Sequence, residues 1–134
     1  MSKTIFITGG ANGIGKALVQ AFSAEGHQVA FCDSDVNKGS QLAAETNTNF
    51  ICADAGNKEE LEGCLRYFLR QWGDMDVIIN NVGIGNFKPI TELSVEEFDR
   101  SLHINLRSAF ITSRLLAIHR EHQKKKNSYG RIIN

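Results

Sequence analysis

Short, almost continuously apolar segments alternate with longer segments of helical periodicity along this 134-residue chain. Nearly continuous apolar runs are typical of parallel strands that are covered on both faces. The alternation therefore predicts an α/β fold, a doubly wound parallel sheet with right-handed crossovers. Such a sheet binds ligands at the carboxyl ends of its strands. Strands are predicted over residues 4–8, 29–33, 49–53, 76–80 and 131–134.

The connecting segments carry recognisable helix signals. The first helix is expected to end at Gly26 and the third at Gly73. Ser94 and Glu97 have the spacing of a capping box in front of the longest helix, which is predicted as one element over residues 96–122. Apolar residues recur in that helix at i, i+4 spacing, namely Phe98, Leu102, Leu106 and Phe110.

Length and charge exclude several classes of protein. The chain has the length of one domain, and its 15 basic and 15 acidic residues cancel, so no global field favours nucleic acid or an anionic membrane. The only local excess is basic, over residues 119–126, and is expected to be a solvated helix end. No apolar stretch has the length of a membrane span or a signal-peptide core. We therefore expect a cytoplasmic protein that binds neither nucleic acid nor membrane.

Cysteine and histidine spacing predicts no metal site. Cys32, Cys52 and Cys64 are odd in number and show no Cys-x-x-Cys pair, so a disulfide framework is not expected either. Buried, reduced thiols are the predicted state. The four histidines also lack the spacing of metal ligands.

A glycine-rich loop, TGGANGIG over residues 8–15, follows the first strand and opens the first helix. Gly9 permits a tight turn, Gly13 lets the backbone approach a pyrophosphate, and Gly15 lets the helix lie close to the sheet. Free N–H groups at the start of the helix attract an anion. The loop therefore predicts a dinucleotide site, although its G-x-x-x-G-x-G spacing differs from the usual G-x-G-x-x-G.

A second phosphate-binding pattern overlaps this loop. Gly10 to Lys16 also matches the G-x-x-x-x-G-K of a P-loop, and Asp33, at the end of the second strand, could then ligate magnesium. The next residue is Ala17, however, where a P-loop needs a Ser or Thr hydroxyl for the metal. A nucleoside triphosphatase is therefore the less favoured alternative.

Asp33 indicates which dinucleotide is bound. A carboxylate at the end of the second strand accepts both hydroxyls of an adenosine ribose and repels a 2′-phosphate. Asn12 places no cation in the glycine loop to attract that phosphate. NAD is therefore expected rather than NADP. The alternative role for Asp33 is to cap the helix that follows.

Four separated motifs resemble the short-chain dehydrogenase/reductase family: the loop TGGANGIG, Asp33, NNVG at residues 80–83 and the asparagine of HINL, Asn105. The resemblance covers essentially the whole chain and implies a Rossmann-like fold, truncated after the fifth strand, with the strand order 3-2-1-4-5. It also implies an NAD-dependent oxidoreductase that transfers hydride between the cofactor and an alcohol or carbonyl substrate. Members of the family commonly associate through helices, so a homo-oligomer is expected.

The resemblance also implies roles for individual residues. Asp54 would hydrogen-bond the adenine amino group, although its position equally suits a turn residue. Val82 replaces the alanine usual in the family. Asn105 would be catalytic, by supporting a proton-relay water near the active-site lysine. The remaining residues expected to bind the cofactor are Thr8, Gly9, Asn12, Gly13, Ile14 and Gly15 in the loop, with Asn81, Val82 and Gly83 flanking the adenosine.

The catalytic Ser and Tyr-x-x-x-Lys of this family have no counterpart in the chain. Gln71 stands four residues after Tyr67, and Ile133 stands four residues after Tyr129. Residues 1–134 are therefore expected to form a single NAD-binding domain, truncated after its fifth strand and inactive alone. A dinucleotide-binding module without catalysis is the alternative.

Overall fold

The five strands form one parallel sheet in the order β3-β2-β1-β4-β5, which confirms the predicted fold and strand order. The computed structural model describes residues 1–123 and 129–134. Each strand is joined to the next by helical segments, as in a doubly wound fold. In chain order the elements are β1 Thr4–Thr8, α1 Gly13–Ala24, β2 Gln28–Asp33, α2 Val36–Thr46, β3 Asn49–Cys52, α3 Lys58–Trp72, β4 Val77–Ile79, α4 Val95–Leu102, a π-helical segment His103–Arg107, α5 Ser108–His122 and β5 Arg131–Ile133.

The core lies on both faces of the sheet, which explains the nearly continuous apolar runs. Phe6 of β1 belongs to a cluster with side chains of α3 and α5, including Leu65 and Leu115. Ile7, its neighbour on the same strand, points to the opposite face and packs with Val19 of α1. Because successive side chains of a strand alternate between faces, both must be apolar when both faces are covered.

Helix ends follow the local signals. Asn57 caps α3 by accepting hydrogen bonds from the backbone N–H groups of Glu59 and Glu60, and the helix stops at Gly73, whose φ is 76°. Gly26 has a φ of 80° after α1. The predicted capping box between Ser94 and Glu97 is present at the start of α4. These ends were predictable because glycine and short polar side chains satisfy backbone groups locally.

The longest helix is not one uninterrupted element, so that prediction is wrong. A π-helical segment, His103–Arg107, separates α4 from α5 and contains Asn105. The i, i+4 residues predicted from the pattern are exposed, with Phe98 at 50% and Leu106 at 65%. Residues on a different face, Ile111 and Leu115, reach the core instead. All four residues of the pattern, before, within and after the π segment, are exposed, so this apolar spacing does not mark the side of the helix that faces the core.

The three thiols occupy different environments. Cys32 and Cys64 are buried and form no disulfide, as predicted. Cys52 is exposed, so the prediction of a buried thiol is wrong for that residue. Cys52 ends β3 and its Sγ contacts the carbonyl of Ser34 at 3.7 Å. A hydrogen bond with Cys32, together with burial, raises the pKa of the Cys64 thiol far above its ordinary value.

The basic run is only partly a solvated helix end. Arg120 binds the Asp74 carboxylate at 3.1 Å and the Met75 carbonyl at 2.8 Å, and thereby ties the end of α5 to the turn before β4. His119 lies 2.9 Å from the carbonyl of Gly73. Residues 124–126 of this run lie outside the described residues.

Two helical glycines differ in the room available for a methyl group. A Cβ at Gly39 of α2 would lie 2.2 Å from the Phe50 ring, whereas one at Gly63 of α3 would have no atom within 4 Å. Gly39→Ala should therefore lower the free energy of unfolding by about 1–3 kcal/mol, because the Phe50 ring must move. Gly63→Ala should raise the free energy of unfolding by about 0.5–1 kcal/mol, because alanine has a higher helix propensity than glycine. Urea unfolding of both variants measures the difference, and stabilisation by both would contradict it.

Candidate functional site

A groove of about 410 Å³ lies at the carboxyl edge of the sheet, where the β1–α1 loop, the end of β2 and the segment after β4 meet. This is where a doubly wound sheet binds ligands. All eight residues that line the groove are among those predicted from the sequence to bind a cofactor. They are Gly9, Asn12, Gly13, Ile14, Asp33, Asn81, Val82 and Gly83.

The glycine loop is held in a tight turn against β2. The N–H groups of Gly9 and Gly10 both donate to the carbonyl of Cys32, at 2.8 and 3.1 Å. Gly9 and Gly13 have φ values of 67° and 53°, which favour glycine. A Cβ at Gly15 would lie 1.9 Å from the carbonyl oxygen of Gly9. The absence of a side chain at Gly15 therefore lets α1 begin directly against the loop.

Asn81 and Thr8 hold the segment after β4 against this loop. Asn81 Nδ2 donates to the carbonyls of Thr8 and Gly9, at 3.1 and 3.0 Å. The Val82 N–H donates to Thr8 Oγ1 at 3.1 Å. Thr8 is fully buried, so its hydroxyl acts behind the groove rather than at its surface. These two polar side chains fix the relative position of two walls of the groove.

The start of α1 carries no side-chain cap. Its N-cap residue, Asn12, makes no capping hydrogen bond, whereas α2, α3 and α4 are capped by Asp35, Asn57 and Ser94. The first N–H groups of a helix have no partner within the helix. At α1 these donors open into the groove beside Gly13 and Ile14. This is the arrangement that binds phosphate anions at a helix N-terminus.

Asp33 links the end of β2 to the glycine loop. Its Oδ2 accepts a hydrogen bond from the Ala11 N–H at 3.0 Å, and its Oδ1 accepts one from the Asp35 N–H at 3.0 Å. The cap of α2 is Asp35, which accepts from the Lys38 N–H, so the capping role considered for Asp33 is wrong. Each oxygen of Asp33 retains a lone pair for a further donor. Asp33 is also the one charged residue among those that line the groove.

Asp54 has the contacts of a turn residue. Its Oδ1 accepts from the Gly56 N–H at 2.8 Å, and it does not line the groove beside Asp33. Its own N–H donates to Glu60 Oε2 at 2.8 Å. The contact with an adenine amino group implied by the resemblance stays a prediction.

Asn105 uses its side-chain amide to hold the segment that follows the groove. Its Oδ1 accepts from the Ile84 N–H and its Nδ2 donates to the Ile84 carbonyl, both at 2.8 Å. The π-helical segment presents this side chain to a backbone 21 residues away. Asn105 is therefore a positioning residue in this structure, and the support of a relay water stays a prediction.

Two further residues that anchor this segment were missed from the sequence. Asn86 Nδ2 donates to Ser101 Oγ at 2.8 Å, and the Lys88 ammonium binds the Glu97 carboxylate. The hydrogen bond from Lys88, with those from Ser94, lowers the pKa of Glu97. Neither contact could be predicted from a local sequence motif, because each joins two residues from separate parts of the chain.

Lys16 does not face the groove in front of the glycine loop. It lines a separate depression between α1 and α2, together with Lys38 and Glu45. A P-loop lysine has to reach the phosphates in front of its own loop. The position of Lys16, added to the missing hydroxyl at Ala17, therefore argues against the P-loop alternative. Within residues 1–123 and 129–134, no group of His, Cys, Asp or Glu side chains could hold a metal ion.

Comparison with known proteins decides the family. The family model for short chain dehydrogenases matches residues 3–134. The chain belongs to the short-chain dehydrogenase family. The D-beta-hydroxybutyrate dehydrogenase of Cupriavidus necator is 33% identical over 137 aligned residues, which cover 98% of this chain and 52% of that protein.

Two solved structures share the fold of this chain. A blue fluorescent protein from a metagenomic library, in complex with NADPH, is 29% identical with a TM-score of 0.87, over 98% of this chain and 54% of that one. The 3-ketoacyl-(acyl-carrier-protein) reductase of Brucella melitensis, complexed with NADH, is 26% identical with a TM-score of 0.89, over 97% of this chain and 55% of that one. The chain thus spans about half the length of these relatives.

No helix in the described part of the chain is long and apolar enough to cross a membrane.

Proposed function

We propose that this short-chain dehydrogenase chain binds a nicotinamide adenine dinucleotide in the groove at the carboxyl edge, with a preference for NAD(H) over NADP(H). It would serve as the cofactor-binding part of an oxidoreductase that acts on an alcohol or carbonyl substrate. The bound cofactor would supply hydride transfer. The relatives complexed with NADPH and with NADH support a nicotinamide dinucleotide in general but do not distinguish NAD from NADP. The preference is therefore argued from the residues of this chain.

The observation that carries the proposal is the charge of the groove lining. Asp33 is its one charged side chain, and neither lysine nor arginine is among the lining residues. A carboxylate accepts hydrogen bonds from ribose hydroxyls but repels a 2′-phosphate. The pyrophosphate needs no cation, because the uncapped N–H groups of α1 provide donors at the opposite side of the loop.

The proposal gives each part of the groove a distinct task. The α1 N-terminus would bind the pyrophosphate, with Gly13 allowing its close approach. Asp33 would orient the adenosine ribose. Val82 and Gly83 would flank the adenosine, while Asn81 and Thr8 hold that wall in place. Asn105 would position Ile84 and, through it, the segment leading away from the groove. These roles position the cofactor, and none of them transfers a proton to the substrate.

Thermal stabilisation distinguishes a dinucleotide site from a nucleoside triphosphate site. A ligand at 100 times its dissociation constant adds about 2.7 kcal/mol to the free energy of unfolding. We expect NAD to raise the melting temperature of the intact protein, and Mg-ATP to raise it no more than Mg²⁺ alone, because Ala17 cannot ligate the metal. Differential scanning fluorimetry measures both. Stabilisation by Mg-ATP without stabilisation by NAD would establish the P-loop function instead.

Replacing Asp33 by alanine should change cofactor preference. Loss of a charged hydrogen-bond acceptor removes about 1.5–3 kcal/mol, so the dissociation constant for NAD should rise at least tenfold. The affinity for NADP should increase, because the repulsion of the 2′-phosphate is relieved. Isothermal titration with both cofactors tests this prediction. Asp99→Ala, an exposed carboxylate on α4, is the matched control and should leave both affinities unchanged.

A purely structural role for Asp33 has a different signature. The hydrogen bonds that Asp33 accepts from the N–H groups of Ala11 and Asp35 also support the loop. Loss of these bonds alone would weaken the binding of NAD and of NADP by the same factor. Tighter binding of NADP than of NAD by the unmutated protein would contradict the proposed preference directly.

A further inference from the structure

The π-helical segment His103–Arg107 contacts two different loops at the carboxyl edge of the sheet. Asn105 holds Ile84 in the segment after β4. Arg107 donates from its Nη2 to the carbonyl of Gly56 at 2.9 Å, in the turn that follows β3. This second contact joins residues 51 positions apart, and the proposed function gives it no task. One short segment thus fixes the loop after β3 as well as the loop after β4.

The turn after β3 is closely packed against the π-helical segment. A Cβ at Gly56 would lie 3.2 Å from Ile104 Cγ1 and 3.2 Å from Asp54 Oδ1. Ile104 is buried, and so is Ala55 in the turn. Close-packed groups of this kind cannot shift independently of one another. The hydrogen bond from Arg107 and this packing therefore set the place of Asp54.

The position of Arg107 is unfavourable for its own side chain. Its Nε is buried and has no hydrogen-bond acceptor among residues 1–123 and 129–134. A buried donor without a partner destabilises a fold. A local cost of this kind is expected where a side chain serves a functional site. It therefore favours a functional role for the contact with Gly56 over a purely stabilising one.

Asp54 lies one strand away from Asp33 at the carboxyl edge of the sheet. Cys52, the last residue of β3, pairs in register with Asp33, and the Ala53 N–H donates to the Asp33 carbonyl at 3.0 Å. Asp54 Oδ1 accepts from the Gly56 N–H, whereas its Oδ2 accepts no hydrogen bond from any described residue. If Asp33 holds the adenosine ribose, this oxygen is an acceptor for an amino group on the attached base.

We propose that Arg107 is a positioning residue for recognition of the adenine base. By holding the Gly56 carbonyl, Arg107 keeps the turn where Asp54 Oδ2 accepts a hydrogen bond from the adenine amino group. This inference rests on the proposed binding of NAD in the groove. It adds a specificity for the base that depends on a side chain outside the lining of that groove.

Isothermal titration of the intact protein with NAD and with nicotinamide hypoxanthine dinucleotide tests the inference. The base of the second compound carries a carbonyl oxygen in place of the adenine amino group. The unmutated protein should bind NAD at least about fivefold more tightly, because the analogue cannot donate that hydrogen bond to a carboxylate. Asp54→Asn should remove this preference, because an amide presents a donor where a carboxylate only accepts.

Arg107→Met removes the donor to Gly56 and keeps a long side chain for packing. It should lower the affinity for NAD at least about threefold and change the affinity for the analogue less than about twofold. Arg107→Lys keeps the charge but is one bond shorter, so it should lower the preference about twofold even if the methionine variant does not fold. Arg114→Met, at an exposed arginine on α5, is the matched control and should leave the preference unchanged.

Absence of NAD binding by the unmutated protein would refute the inference together with the proposed function. Equal binding of NAD and the analogue would leave the dinucleotide site standing and overturn the inference alone. A preference that persists in Asp54→Asn would exclude Asp54 as the acceptor. A parallel loss of both affinities in Arg107→Met, or an unchanged preference in both Arg107 variants, would show that Arg107 acts only on the stability of the fold.

Discussion

Gly15→Ala should destabilise the fold by more than about 3 kcal/mol and abolish measurable NAD binding. A Cβ at this position would lie 1.9 Å from the Gly9 carbonyl oxygen and 2.6 Å from Asn81 Nδ2. Backbone cannot move aside as the end of a side chain can, so the loop and α1 must separate. That separation would displace both the uncapped N–H groups of α1 and the wall held by Asn81. Thermal unfolding and isothermal titration with NAD measure the two effects.

Gly26→Ala is the matched control for this substitution. Gly26 also has a positive φ, 80°, but a Cβ there would have no atom within 4 Å, and the residue is not among those that line the groove. Its replacement should cost about 1–2 kcal/mol of backbone strain and leave the affinity for NAD unchanged. If Gly15→Ala unfolded at the same temperature as Gly26→Ala and still bound NAD, the steric account of the loop would be wrong.

The sheet was predictable because its signals are local and repeated. Buried strands are apolar on both faces, so TIFIT predicted β1 with the bounds Thr4–Thr8 that the structure has. The end of the third helix was also predicted correctly, since Gly73 adopts the positive φ, 76°, that ends many helices. The strand order was implied by the resemblance to a Rossmann-like fold, because the handedness of the crossovers does not set it.

The interruption of the longest helix was not predictable from the same kind of signal. Asn105 disfavours a regular helix only weakly, and nothing near it in sequence indicates a π turn. The partner that stabilises its side chain, the backbone of Ile84, comes from another element. The i, i+4 spacing also failed to indicate the core, because Phe98 and Phe110 are exposed on either side of the π segment, whereas Ile111 is buried.

The residues that line the candidate groove were predictable, whereas their contacts were not. Glycine positions reveal where a loop turns and where backbones approach, so the loop could be located from composition and order. The hydrogen bond from the Ala11 N–H to Asp33 joins the glycine loop to the end of β2. The hydrogen bonds from Asn81 to the carbonyls of Thr8 and Gly9 join the segment after β4 to the same loop. Such pairs depend on strand order and register, which are known only once the sheet is assembled.

A polypeptide limited to residues 1–134 should bind NAD yet form no NADH with any alcohol. Hydride transfer to or from a carbonyl carbon needs a proton donor or acceptor beside it. The chain has two tyrosines, and neither lines the groove. Tyr67 lies on α3, and the Tyr129 ring contacts Lys3 at 4.0 Å, near the amino edge of the sheet. General acid–base catalysis contributes about 10²–10⁴-fold, so its loss should leave turnover below detection.

The same polypeptide should also self-associate, because β5 is an edge strand with Ile132 and Ile133 exposed at 40% and 45%. Unpaired edge groups beside apolar side chains are a template for pairing with another copy. Light scattering and NADH absorbance with a panel of alcohols, on material verified by mass, test both expectations. A stable monomer would refute the edge argument, and reproducible NADH formation would place the proton-transfer group within these residues.

A longer polypeptide that adds a Ser and a Tyr-x-x-x-Lys should form NADH from an alcohol substrate. If that polypeptide binds NAD but forms no NADH, a dinucleotide-binding module without catalysis is the better description. The two results are separable because cofactor binding and proton transfer depend on different residues.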